Sequence, residues 1–272
     1  MNSSVIHIPC APSRANVTLT DMDNRIAAVI NTYNAAEHLD RVLRSLSDFD
    51  EVVVCDMEST DDTVAIARSH GARVVTFPKG NHTICEPARD FAIHSTSCPW
   101  VLVVDADELV PDTLLKYLRD RVASPGFRSA LLVPRINLFM GRPATATPDY
   151  QLRFMRPDSA TWPAVIHARP EINGPVERIP ARKELSLQHL DNPTIASRLE
   201  KLNRYTDYEV PKRMHKHYGA TKMLIRPWWF FIKSLLIGGG WRDGRRGIAK
   251  AYMDATYQMI LLAKLTEAQN KN

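Results

Sequence analysis

Through the first half of the chain, short runs of β-branched and aliphatic residues alternate with helix-length amphipathic segments. A chain so patterned is confined to a mostly parallel sheet covered by helices. Residues 26–30, 51–55, 73–77, 100–104 and 130–133 read as strands. The segment 37–46 places Leu39, Val42, Leu43 and Leu46 at helical spacing. Ser59 and Thr60 offer a cap for a helix carrying Val64, Ile66 and Ala67, and further helices are expected over 86–95 and 111–122. The run at 100–104 is apolar throughout and ends in acidic residues, as expected of a strand buried on both faces. Residues 141–193 are rich in Pro and Arg with strand-like pieces. Residues 194–218 are helical again, then a stretch broken by Pro and Gly leads to a last helix over about 248–264.

With 272 residues, 44% hydrophobic and 24% charged, the chain has material for a substantial core. The formal charge of +5 hides an asymmetry. Residues 1–125 hold 11 basic and 18 acidic side chains, whereas 198–250 hold 13 basic and 4 acidic ones, so −7 is followed by +9. Cys10, Cys55, Cys85 and Cys98 have no C-x-x-C spacing, and residues 1–23 carry no secretory signal, so a reducing, cytoplasmic setting is expected. The most apolar late stretch, 228–237, has ten residues and includes Lys233, too few for a bilayer span.

Ligands of open α/β sheets bind beyond the carboxyl ends of the strands. Here strand one runs into Asn31-Thr32-Tyr33-Asn34, strand two into Asp56 with Glu58, Ser59, Asp61 and Asp62, and the central strand into Asp105-Ala106-Asp107. Two carboxylates at i and i+2 can hold a hard divalent cation, which would neutralise a diphosphate. A turn with helix-start charges is the structural alternative.

The ordered set 28–34, 54–63 and 100–108 resembles the inverting family 2 glycosyltransferases of GT-A fold. The late residues Pro227, Phe231, Lys233, Gly239, Gly240, Asp243-Gly244 and Gly247 are similar to the C-terminal part of bacterial lipopolysaccharide-core glycosyltransferases. The resemblance implies a Rossmann-like, mostly parallel sheet flanked by helices, with a helical, basic C-terminal extension. It implies that Thr32, Asn34, Asp56, Ser59, Arg89, Asp105 and Arg153 bind a nucleotide-sugar donor. Asp107, with Asp105 and His189, would hold Mg²⁺ or Mn²⁺. Met57, Asp62 and Arg89-Asp90 depart from the family pattern, and the Glu of its His-Glu pair is missing where Val165-Ile166-His167-Ala168 stands. Glu171, His167 and Asp149 remain as bases, with Glu171 first and His167 beside it.

Three regions are expected: an N-terminal segment 1–23, a donor-binding and acceptor region 24–193, and a helical region 194–272. In the last, Lys212, Arg213, Lys216, Arg242, Arg245 and Arg246 flank the aromatic run 228–231, a composition that suits the surface of an anionic bilayer. An ordinary packed core with a solvated basic face is the alternative. No nucleic-acid-binding signature accompanies the charge. The implied activity is sugar transfer to a lipopolysaccharide-core or other lipid-linked acceptor at the inner membrane face. Two other readings are a nucleotidyltransferase, although residues 31–37 hold neither Gly nor Lys for a phosphate loop, and a non-enzymatic membrane-associated binding protein. A phosphatase built on strand-D-x-D would want Thr where Leu109 stands.

Overall fold

A computed structural model describes residues 24–82, 85–144, 149–164, 169–191 and 194–271. Four strands open the fold: β1 (Ile26–Thr32), β2 (Glu51–Asp56), β3 (Arg73–Thr76) and β4 (Trp100–Asp105). They pair in parallel in the order β3-β2-β1-β4. Helices α1 (Ala36–Arg44), α2 (Thr63–Ser69) and α3 (Glu86–His94) make the crossovers. After β5 (Glu108–Leu109) and α4 (Asp112–Val122), β6 (Ala130–Ile136) joins the sheet. It does so through β9 (Asp149–Met155), which runs antiparallel to both β4 and β6. The hairpin β7 (Leu138–Phe139) and β8 (Arg142–Pro143) stands apart, as does the pair β10 (Ala160–Thr161) and β11 (Glu171–Ile172). Strands β12 (Val176–Arg178) and β13 (Leu187–His189) both lie on β6, and β13 also pairs with β5.

Alternation along β1 builds two cores. Ile26, Ala28 and Ile30 pack with Leu39 and Val42 of α1 and Leu114 and Leu118 of α4. Val29 faces the other side, with Val53, Val103 and the α3 residues Ala88 and Ala92. Both faces of the central strands are thus dry, the condition a parallel sheet needs.

Two local expectations change. Helix α2 starts at Thr63 rather than after Ser59 and Thr60, because aspartates have taken up the loop amides: Ser59 N donates to Asp56 at 2.9 Å and Thr63 N to Asp61 at 3.0 Å. The stretch expected to be broken holds a helix, α6 (Ala220–Ile232), which runs through a buried Pro227. A π turn at Lys233–Ile237 and left-handed Gly239 reverse the chain into α7 (Arg245–Asn270), longer at both ends than its periodicity implied.

Helix α5 (Ile195–Arg213) begins as expected at Thr194, whose hydroxyl accepts from Ser197 N at 3.1 Å. Two hydrogen bonds tie the helical region to the β7–β8 hairpin. Arg198 of α5 donates to the Leu138 carbonyl at 3.0 Å and Arg246 of α7 to that of Phe139 at 3.1 Å.

At Gly247, an added Cβ would lie 1.7 Å from the Gly240 carbonyl oxygen, a backbone atom with no room to yield. Gly247→Ala is therefore expected to cost about 3 kcal/mol. Thermal unfolding would show it as a lowered Tm; an unchanged Tm would mean this crossing is looser than it is drawn here.

Candidate active site

The carboxyl ends of β1 and β4, helix α3 and the middle of β9 enclose a cleft of about 810 Å³. It is lined in part by Asn31, Asn34, Arg89, Asp105, Asp107, Arg135, Arg153, Trp162 and His189. At its floor, Asp105 is clamped. Arg89 Nη2 donates to Oδ1 at 2.8 Å and Arg153 Nη1 to the same oxygen at 3.1 Å, while Arg153 Nη2 bonds Oδ2. Burial pushes the Asp105 carboxyl up, but Arg153 and Arg89 outweigh it and hold it well below the usual carboxylate range.

Beneath lies Glu108, fully buried. Its Oε2 accepts from the Asp105 amide at 3.0 Å and its Oε1 from Arg135 at 3.2 Å. Burial, then the charge of Asp105, push the Glu108 carboxyl up. Arg135 also reaches Asp149 at 2.7 Å. Three guanidiniums and three carboxylates thus interlock, and each step of Glu108 toward its neutral form leaves this floor more positive.

Asp107 stands apart from the arginine clamp. Its Oδ2 lies 3.0 Å from His189 Nε2, and its carbonyl accepts from Leu190 N at 2.7 Å, so the antiparallel β5–β13 pairing delivers the two side chains to each other. Burial pulls the imidazole of His189 down, but the Asp107 carboxylate more than offsets this and its pKa is raised.

The remaining residues named from sequence fall in three places. Asn34, left-handed at φ 48°, lines the cleft, and its Oδ1 accepts from Thr60 N at 2.8 Å. Asp56, 2% exposed, is spent on its own loop: Thr32 Oγ1 donates to it at 2.9 Å and Ser59 Oγ at 2.5 Å. Thr32, Asp56 and Ser59 therefore brace the cleft wall and are not among its lining residues. Glu171 is exposed on β11, opposite Thr161, and does not line the cleft either; the β10–β11 pairing turns it to solvent. Asp149 is taken up by Arg135, Asn137 and Gln151. His167 lies outside the described residues.

Sequence reasoning gave no site role to Arg135, Trp162, Arg169, Lys201 and Tyr205, all of which line the cleft. Lys201 and Tyr205 come from α5, so the helical region supplies part of the wall. Asn31 was read only as part of a polar loop. Its signal was a polar residue closing an otherwise unbroken apolar strand.

A mixed sheet of this order, with an arginine-carboxylate floor and an Asp-x-Asp turn at the mouth of its central strand, has the architecture the sequence resemblance implied. Residues 27–168, just over half of the chain, match the profile described as Glycosyl transferase family 2, and the chain belongs to that family. It is 39% identical over 99 residues to an uncharacterized glycosyltransferase of Rickettsia felis, covering 36% of this chain and 32% of that protein. It is 40% identical over 108 residues to the uncharacterized glycosyltransferase RC0292 of Rickettsia conorii, covering 39% and 35%. The match thus spans about a third of the length of these two proteins. Against the lipopolysaccharide core biosynthesis glycosyltransferase LpsC of Rhizobium meliloti, identity is 23% over 247 residues, 88% of this chain and 91% of the other. Glucosyl-3-phosphoglycerate synthase from Mycobacterium tuberculosis, solved with Mn²⁺, UDP and glucosyl-3-phosphoglycerate, is 22% identical over 48% of this chain and 51% of its own, with a TM-score of 0.32. Family membership favours the glycosyltransferase reading over the nucleotidyltransferase and the non-enzymatic binding protein.

Removing one member of the floor lattice strands the others. Arg153→Leu leaves Asp105 and Glu108 facing each other with one guanidinium fewer, and a loss of about 3 kcal/mol is expected. Chemical denaturation measures it; a change below about 1 kcal/mol would show that Arg89 and Arg135 suffice.

Proposed function

We propose that the protein transfers a sugar from a nucleotide-sugar donor to a hydroxyl of a lipopolysaccharide-core or other lipid-linked acceptor, with inversion, aided by a divalent cation. The observation that carries this is the Asp107–His189 pair, set in the cleft beside the guanidinium floor. A carboxylate and an imidazole suit Mn²⁺ or Mg²⁺ that keeps water and takes its other ligands from phosphate. Among the described residues there is no group of three or more His, Cys, Asp or Glu that could hold a metal ion. Asp105 does not fit as a ligand, because both its oxygens are held by arginine.

When bound, the cation would offset the charge developing on the departing diphosphate. The chain's own contribution is a positive floor: Arg89 and Arg153, preorganised by Asp105, with Arg169 and Lys201 lining the same cleft. An acceptor hydroxyl needs a base. Of the residues the resemblance offers, Glu171 is exposed and Asp149 is held by Arg135, so we assign the role to His167.

Support for a membrane-borne acceptor comes from α6. Leu224, Trp228 and Ile232, spaced by four, and Ile225 and Trp229 beside them are all exposed, and Leu236, Ile237 and Trp241 extend the patch. Lys222, Arg242 and Arg245 lie along it in sequence. Such a face settles in the headgroup region of an anionic bilayer. No helix among the described residues is long and apolar enough to cross a membrane.

Two measurements test these assignments. Asp107→Asn is expected to lower transfer by about 100-fold and to remove the Mn²⁺ dependence of nucleotide binding; undiminished transfer would reject the cation role. Trp228→Ser with Trp229→Ser is expected to weaken co-sedimentation with anionic vesicles by at least about tenfold while sparing donor hydrolysis. Equal sedimentation of both proteins would remove the membrane face from the account.

A further inference from the structure

Asn31 is the last residue but one of β1 and is only 9% exposed, yet neither Oδ1 nor Nδ2 of its carboxamide finds a hydrogen-bond partner among the described residues. In register it lies between Cys55 of β2 and Asp105 of β4, and it lines the cleft. Its two neighbours cannot satisfy it from the floor. Asp105 is committed to Arg89 and Arg153, and the Cys55 thiol sits 4.0 Å from the Ala88 carbonyl. A buried amide with both ends idle costs the free protein about 1–3 kcal/mol, and a leucine there would cost nothing of the kind. The strand Ile26–Ile30 is otherwise apolar and fully buried, so packing alone would favour an aliphatic side chain at its end.

A carboxamide presents a donor and an acceptor side by side. Phosphate oxygens offer only acceptors, and a cation takes only acceptors; either would leave half of this group idle. The two ends are satisfied together by a ligand edge that itself alternates donor and acceptor. The donor proposed above has such an edge in its nucleoside: the amide or imide edge of the base, or the ribose diol. Asp56 cannot play this part while its oxygens serve Thr32 and Ser59.

We infer that Asn31 is the residue through which this chain reads the nucleoside of its donor, with its carboxamide as a paired donor and acceptor. The inference rests on the nucleotide-sugar reading of the cleft. It makes nucleotide recognition separable from diphosphate recognition: Asn31 handles the first, the arginine floor and Asp107 the second.

The test compares Asn31→Leu, which removes both polar atoms at similar volume, and Asn31→Ala with the unaltered protein. Calorimetry is run with UDP, GDP, CDP and dTDP and with inorganic pyrophosphate, each with Mn²⁺. The expected result is at least a tenfold weakening of whichever nucleoside diphosphates the unaltered protein binds, with pyrophosphate affinity unchanged within twofold. Free Asn31→Leu is expected to melt no lower than the unaltered protein, since no internal bond is lost. Repeating the measurement with the 2′-deoxy form of the best ligand assigns the contact: a persisting effect points to the base, a vanished one to the ribose. Unchanged nucleotide affinity, a parallel loss of pyrophosphate affinity, or a lowered Tm in the leucine variant would each overturn the inference. Pyrophosphate binding without binding of any nucleoside diphosphate to the unaltered protein would instead overturn the donor reading itself.

Discussion

The side chains of Asp105, Glu108 and Asp149 meet those of Arg89, Arg135 and Arg153 at the one place where β4, β9, β6 and α3 converge. None of these groups could be buried alone. An isolated ionised carboxylate or guanidinium pulled from water costs several kcal/mol, and only mutual satisfaction makes the cluster tolerable. Its members come from chain segments up to 64 residues apart, between Arg89 and Arg153. The antiparallel insertion of β9 between β4 and β6 is what brings them together. The same lattice holds Arg89, Arg135 and Arg153 in place at the base of the cleft, so what stabilises the carboxyl end of the sheet also shapes the site.

This arrangement divides the Asp-x-Asp pair by partner. Side chains at i and i+2 on an extended segment share a face, and sequence reasoning treated both aspartates as cation ligands. In the folded chain the turn after β4 separates them. Asp105 stays in line with the strand and is absorbed by Arg89 and Arg153, while Asp107 pairs with His189 across the β5–β13 contact. The late histidine between two leucines thus lies against the second aspartate. Its partner could be guessed only from the family resemblance, because the pairing depends on a short strand of two residues that no periodicity signals.

The parallel half of the fold was legible because each strand buries both faces and each helix buries one. The periods of 2 and 3.6 are therefore written directly into residues 26–122. Legibility fails where a polar side chain is consumed by a neighbour distant in sequence. Asp56 reads in sequence as a free polar group at a strand end, yet Thr32 and Ser59 both donate to it. Glu171 was favoured for its nearness to a missing glutamate, but a two-residue pairing with Thr161 turns it outward. Pro227 was read as a break, yet its missing donor is tolerated inside α6, where the ring is buried. Asn31 shows the opposite failure: an unremarkable polar residue in sequence becomes conspicuous only when its surroundings prove empty of partners.

Helix α5 gives the helical region more than an anchoring task. Lys201 and Tyr205 line the cleft at the strand ends, while Leu202 and Tyr205 also border a second cavity of about 520 Å³ with Phe230 and Ile237. Ile237 in turn belongs to the exposed apolar face. One tyrosine is thus common to both cavities, and one isoleucine common to the second cavity and the surface. Lys264 of α7 donates to the Asn203 carbonyl of α5 at 2.8 Å, and Arg198 ties α5 to the β7 hairpin, so the helix is joined to both parts. An acceptor resting on the apolar face would then meet the cleft at a distance set by packing rather than by a flexible tether, and positioning of this kind is what converts an encounter into a reactive geometry.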